Sequence, residues 1–173
     1  MVLNIIPLKF SNESLLKKLI LRLSVLFDDI RISYTLIDIE KSYSDQRKQY
    51  YSTVILESVI KSNPDLEGNV LILTEMDLFV PVLTHVFGEA QLNGKFSIVS
   101  VCRLYEEFYM SESDSRLVSD RSYKEILHEL GHNFGLVHCK DWECVMHVSN
   151  SVEEIDIKGN YYCVSCRKKL KMK

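Results

Sequence analysis

His128, Glu129, His132 and His138 stand within eleven residues of one another, followed at once by Cys139. On a helix, residues four apart share a face, so His128 and His132 point both imidazoles at one ion. Glu129 is turned by about 100° around the same helix and stands beside that ion rather than on it. Gly135 is free to take positive φ, which ends the helix and returns the chain so that His138 supplies a third nitrogen. Three nitrogens leave one tetrahedral position open, the arrangement that separates a catalytic zinc from a structural one. The pattern therefore points to metal-assisted hydrolysis, with Glu129 within reach of the water.

Cys139, Cys144, Cys163 and Cys166 form C-x4-C and C-x2-C pairs, which read as a tetrahedral four-cysteine zinc site. Adjacent side chains of an extended segment point to opposite sides, so His138 and Cys139 serve different ions. Two Zn2+ per chain are expected, one catalytic and one structural. Two disulfides or unpaired buried thiols are the competing reading, disfavoured because paired cysteines in a chain without secretory features more often hold metal. Cys102 ends an apolar run and reads as a buried structural thiol.

This order (HExxHxxGxxH, Cys, C-x4-C, Met146 two residues on, a later CxxC) resembles the archaemetzincins, a branch of the metzincin zinc peptidases. The likeness is continuous over residues 128–166 and extends more weakly upstream through residues 86–90 and 100–104. It implies that His128, His132 and His138 hold the catalytic zinc and that Glu129 is the general base. It implies that Met146 forms the turn beneath the metal, and that Cys139, Cys144, Cys163 and Cys166 hold the structural zinc. The implied fold is α/β, a metzincin-like zincin. It has a twisted, mostly parallel sheet with an antiparallel edge strand along the substrate cleft, two backing helices, an active-site helix and a small zinc-stabilised C-terminal subdomain. The implied activity is hydrolysis of peptide bonds by zinc-activated water. Astacin-like relatives place a tyrosine ligand two residues after the methionine; here that position is Val148. His147, beside it, reads as an exposed or hydrogen-bonded bystander.

With 173 residues, 46% of them hydrophobic and 26% charged, the chain is long enough for one cored domain. We expect an upper α/β part, residues 1–135, whose active-site helix covers about residues 119–134, and a lower four-cysteine part, residues 136–173. A net charge of −3 lacks the broad basic excess of a nucleic-acid binder. The basic run from Arg167 onward reads as a solvated, frayed end. No segment approaches the roughly 20 apolar residues that span a bilayer, and the opening residues lack the basic region of a signal peptide. A cytoplasmic monomer acting on a peptide or protein substrate is expected, without nucleic-acid or membrane partners. The alternative is a catalytically silent, zinc-stabilised peptide- or protein-binding module.

The elements that position this chemistry alternate along the chain. Residues 2–6 read as a strand, and Ser11 or Asn12 caps a helix carrying Leu15, Leu16, Leu19, Ile20, Leu23, Leu26 and Phe27. Ile30, Ile32, Tyr34 and Leu36 alternate as a second strand. Ser44 or Asp45 opens a second helix that runs to about Ser62. Residues 70–73 are continuously apolar, the mark of a strand covered on both faces. Right-handed crossovers and a parallel sheet follow. Residues 84–90 and 96–101 read as strands joined through Asn93-Gly94 into a hairpin, one strand of which is an exposed edge. Residues 103–121 read as a polar loop over the cleft. Ser122 and Glu125 fit a capping box for the active-site helix, which packs through Leu127, Leu130 and Phe134. Beyond Gly135 apolar residues are sparse, so zinc takes the place of a core, and Val152, Ile155 and Ile157 suggest one short helix.

Overall fold

Five short runs, the central ones rich in Val, Ile and Leu, build the sheet that carries everything else. In the computed structural model, which describes residues 1–171, they are β1 (Val2–Pro7), β2 (Asp29–Ile32), β5 (Asn69–Thr74), β7 (Gly88–Ala90) and β8 (Phe96–Ser100). Their order is β2-β1-β5-β8-β7. All neighbours are parallel except β7, which runs antiparallel to β8 with Glu89 opposite Ile98. Residues 70–73 of β5 are buried throughout. Alternation sends Leu71 and Leu73 to one face, into the cluster of Leu15, Leu19, Val99, Ile126 and Leu130. Val70 and Ile72 go to the other face, with Ile55, Val59 and Ile98. The helices α1 (Glu13–Leu23) and α3 (Ser115–Asn133) thus cover one side, and α2 (Ser52–Ser62) the other.

Local signals account for most of the ends. Asn12 caps α1, its side-chain oxygen accepting from Leu15 N at 2.9 Å. The helix stops at Leu23, so Leu26 and Phe27, expected on it, lie beyond it. The second strand is shorter than the alternation suggested. It ends at Ile32, and Tyr34 and Leu36 project into solvent. The second helix begins at Ser52, not at Ser44 or Asp45. Residues 43–51 instead fold back as β3 (Tyr43–Ser44) and β4 (Gln49–Tyr51), which pair with β6 (Leu78–Phe79) in a small second sheet. Tyr43 against Tyr50 and Tyr51 against Phe79 give that sheet its ring contacts. Aromatic side chains suit a half-buried pleated surface, and here that preference prevails over the polar helix-start signal.

Residues 103–121 are not one loop. Two 3-10 turns, Cys102–Leu104 and Glu106–Tyr109, lead into α3 at Ser115. Asp114 is the cap, accepting from Arg116 N and Leu117 N at 2.8 and 3.1 Å. Ser122 is therefore no cap; it is buried in mid-helix and donates to the Val118 carbonyl. Cys102 is a half-buried free thiol at the first of these turns, pushed up to about 11 by burial. Arg121 sits on α3, 4% exposed, with its guanidinium on Asp156, Glu106 and the Leu104 carbonyl. It ties α3 to α4 (Val152–Ile157), the short helix expected around Val152 and Ile155. The basic run from Arg167 belongs to a helix, α5 (Val164–Lys171), rather than to a frayed end, while Met172 and Lys173 lie outside the described residues.

Candidate active site

The last two turns of α3 present His128 and His132. His128 Nδ1 lies 2.8 Å from the Val145 carbonyl, and His132 Nδ1 lies 2.8 Å from the Leu136 carbonyl. A carbonyl oxygen only accepts, so in both rings Nδ1 carries the proton and Nε2 holds a lone pair. Those two Nε2 atoms face each other at 3.2 Å. Two lone pairs so placed repel unless a cation lies between them. Tetrahedral zinc with nitrogens at about 2.0–2.1 Å would set them about 3.3 Å apart. Gly135, at φ +85°, turns the chain after α3 and brings His138 back. The ligand atoms of all three histidines fall within 4.8 Å of one another. Burial foremost keeps all three imidazoles below their ordinary pKa, His128 well below, which maintains the neutral form that binds a metal.

Glu129 is 5% exposed and lies beside this trio, not in it. Its carboxyl is pushed well above the usual range by burial first, then by the Glu125 and Glu89 carboxylates, against the opposing Lys158 ammonium. The side chain packs on the edge strand at Gly88, where a Cβ would stand 2.7 Å from both Cγ and Oε1 of Glu129. The space exists because residue 88 has no side chain.

Below α3, Gly131 plays a similar part for Met146. A Cβ there would strike the Met146 thioether, which is fully buried. Met146 thus lies directly under the ligand helix, and its carbonyl accepts from Cys139 N at 2.9 Å. His147 holds the Cys139 carbonyl at 3.0 Å through Nδ1 and packs on Trp142, so it is a hydrogen-bonded neighbour turned away from the cleft. Val148 faces the cleft.

The four cysteines come together on the far side of that segment. Cys139 and Cys163 Sγ are 3.8 Å apart, as are Cys144 and Cys166 Sγ, and all four lie within 4.8 Å. These separations are far beyond a disulfide bond. They match the about 3.8 Å expected between sulfurs sharing a tetrahedral zinc at about 2.3 Å. Cys163 N donates to Cys144 Sγ at 3.3 Å, a bond that favours thiolate. Burial foremost pushes the Cys144 and Cys166 thiols up; it is the spacing of the four sulfurs that fits a shared cation.

A cleft of about 500 Å³ runs between β7 and residues 148–150, with His128, Glu129, His132 and His138 in its wall. Of the expected strand 84–90, Gly88–Ala90 pairs with β8, the Phe87 carbonyl accepts from Ser100 N at 2.8 Å, and Val86 makes a single bridge to Leu78. Glu89 lines the cleft and its carboxylate accepts from the Ser52 and Thr53 hydroxyls at the start of α2. The hairpin turn is fastened to the end of α3. Asn93 N donates to the His132 carbonyl at 3.0 Å, and Asn133 Nδ2 donates to the Gln91 and Phe96 carbonyls. Among the described residues, none of 103–121 lines the cleft, contrary to the expected covering loop. As site residues, Glu125, Lys158, Gly88 and Gly131 escaped sequence reasoning. The two glycines carried a signal, since one precedes a polar edge residue and the other sits inside the ligand helix where glycine is costly.

A helix-borne histidine pair, a third histidine returned by a glycine turn and an adjacent buried carboxylate define a metal-dependent hydrolase centre. The sequence profile of peptidase family M54 matches residues 38–172. The archaemetzincin of Methanocaldococcus jannaschii is 43% identical over 129 residues, covering 75% of this chain and 70% of that protein. The crystal structure of archaemetzincin from Archaeoglobus fulgidus, complexed with malonate, superposes with a TM-score of 0.82 at 33% identity, over 98% of this chain and 99% of that one. That of the Methanopyrus kandleri archaemetzincin gives 0.84 at 32% identity, over 99% and 94%. The chain belongs to peptidase family M54, the archaemetzincins, and is a zinc metallopeptidase.

Proposed function

We propose that this peptidase hydrolyses peptide bonds in the β7 cleft, with His128, His132 and His138 as the ligands of the catalytic metal and Glu129 as general base. The observation that carries this reading is the convergence of two Nε2 lone pairs at 3.2 Å, each ring oriented by a carbonyl on its other nitrogen. When bound there, zinc polarises the scissile carbonyl and acidifies a water. Glu129 takes a proton from the attacking water as the O–C bond forms, and passes it to the leaving nitrogen as the C–N bond breaks. Burial raises the Glu129 carboxyl above its usual range, which strengthens it as a proton acceptor. Met146 supplies an apolar floor under the imidazoles. Cys139, Cys144, Cys163 and Cys166 hold a second, structural zinc that organises residues 136–171 beneath the upper part, residues 1–135. The protein is further proposed to be a cytoplasmic monomer with no nucleic-acid or membrane partner. No helix of the described residues is long and apolar enough to cross a membrane.

Turnover of an unbiased peptide library by the zinc-loaded protein tests the activity. Absence of any cleavage at full zinc occupancy would put a peptide-binding module in its place. Elemental analysis of protein purified without added metal should approach two zinc equivalents. One equivalent with all four thiols freely titratable would remove the four-cysteine site.

Gly88→Ala offers a finer check. The added methyl meets Glu129 and also the Ile98 carbonyl at 2.8 Å. Backbone cannot yield as a flexible side chain does, so the edge strand and Glu129 shift. Activity should fall by roughly 100-fold with zinc retained, the cost typical of a misplaced catalytic group. An unchanged kcat would show that Glu129 does not depend on this contact.

A further inference from the structure

Lys158, at the end of α4, is 1% exposed and heads the largest fully buried side chains of the fold. Buried lysines are rare unless paired. This one has its Nζ 2.7 Å from Glu125 Oε1 and donates to the His147 carbonyl at 3.3 Å. Glu125 is itself 5% exposed by side chain and reaches the cleft wall. It stands one turn before Glu129 and three residues before His128, so one helix face carries Glu125, His128, Glu129 and His132.

Two carboxylates therefore share a face with the histidines, and a metal centre with an open position has use for only one of them as base. Carboxylate is a good zinc ligand, and a second one within reach would close the fourth position. Glu125 nonetheless stays out of the donor group at the histidines, which consists of the three imidazoles. A buried carboxylate needs a countercharge, and two are in its neighbourhood: the ammonium of Lys158 and the ion that the histidines would hold. Lys158 is already in contact, and its second bond to the His147 carbonyl anchors the ammonium in place.

We propose that Lys158 is a positioning residue that draws the Glu125 carboxylate back from the histidine site and so keeps the fourth coordination position open. The proposal rests on the reading of His128, His132 and His138 as metal ligands. Without Lys158, Glu125 turns to the metal as a fourth protein ligand, giving a site that holds zinc more firmly and works less.

The test compares the zinc-loaded parent with Lys158→Met, Glu125→Gln and the double variant. Two quantities are read: the rate at which the more labile zinc passes to a chelator, and kcat and KM on the best library peptide. If Lys158 merely braced the fold, its loss would loosen the site, by roughly 10- to 100-fold in metal affinity. The proposal gives the opposite sign: slower zinc release from Lys158→Met than from the parent. With it go a kcat lowered by up to roughly 100-fold and a nearly unchanged KM. The double variant, with no carboxylate at 125 and no ammonium at 158, should return both release rate and kcat toward the parent. Glu125→Gln alone, which leaves the Lys158 ammonium unpaired, should be less stable yet release zinc no more slowly than the parent. Lys158→Gln carries the same expectations should Lys158→Met fail to fold. Faster release from the Lys158 variants, or a double variant that behaves as Lys158→Met does, overturns the proposal. A parent with no zinc at the histidines overturns both this and the peptidase mechanism. A parent that holds zinc but cleaves nothing overturns the mechanism alone, and the release rates still decide the role of Lys158.

Discussion

Glu129→Gln should leave zinc content, thermal stability and the circular dichroism spectrum as they are and remove peptide cleavage by about 10³- to 10⁴-fold. That is the upper end of what general-base removal costs, because the same carboxyl serves both proton transfers, from the water and to the leaving nitrogen. Glutamine keeps the size of the side chain and its packing on Gly88, while losing the basic lone pair. In this buried setting the exchange also removes a carboxyl that burial and two neighbouring carboxylates already disfavour as an anion, so the fold should not suffer. Single-turnover kinetics at saturating peptide is the measurement. A Glu129→Gln protein that cleaves as fast as the parent would mean that Glu129 is not the base.

Cys166→Ser should do nearly the reverse, with its largest effect on stability. Cys144 and Cys166 are buried and, with Val145 and Met146, make up most of the small cluster that underlies the ligand helix. Structural zinc contributes folding free energy outright, on the order of 10 kcal/mol in small zinc domains. Loss of one thiolate should therefore release one zinc equivalent and lower Tm. It should also abolish hydrogen-exchange protection through residues 139–166. His138→Ala should empty the other site and leave Tm close to the parent, since His138 is exposed and belongs to none of the core clusters. Equal losses of Tm from the two substitutions would contradict this division of labour.

The chemistry was more legible than its surroundings because helix geometry converts spacing directly into position. His128 and His132 need only four residues and a helix to face each other, and Gly135 only a positive φ to return His138. The cysteine pairs were readable for a related reason, since short loops hold their members close. Reading failed where a contact in space outweighed a local preference. Ser122 and Glu125 look like a capping box, yet the helix starts well upstream at the Asp114 cap, because burial of Val118 on the sheet extends α3 in that direction. Ser44 looks like a helix start, yet Tyr43, Tyr50 and Tyr51 find ring partners only as strands. Glu125 and Lys158 are 33 positions apart, and no local pattern announces a pair that forms only when α4 packs against α3.

The fastening of the β7–β8 turn to the end of α3 has a mechanical consequence. Asn93, Asn133 and the His132 carbonyl join the edge strand to the very turn that bears one of the three clustered histidines. The cleft thus has one braced wall: the edge strand and the end of α3 are tied together, so the gap between β7 and His132 is set by hydrogen bonds to backbone carbonyls. Among the described residues, no such tie reaches it from residues 148–150 on the facing wall.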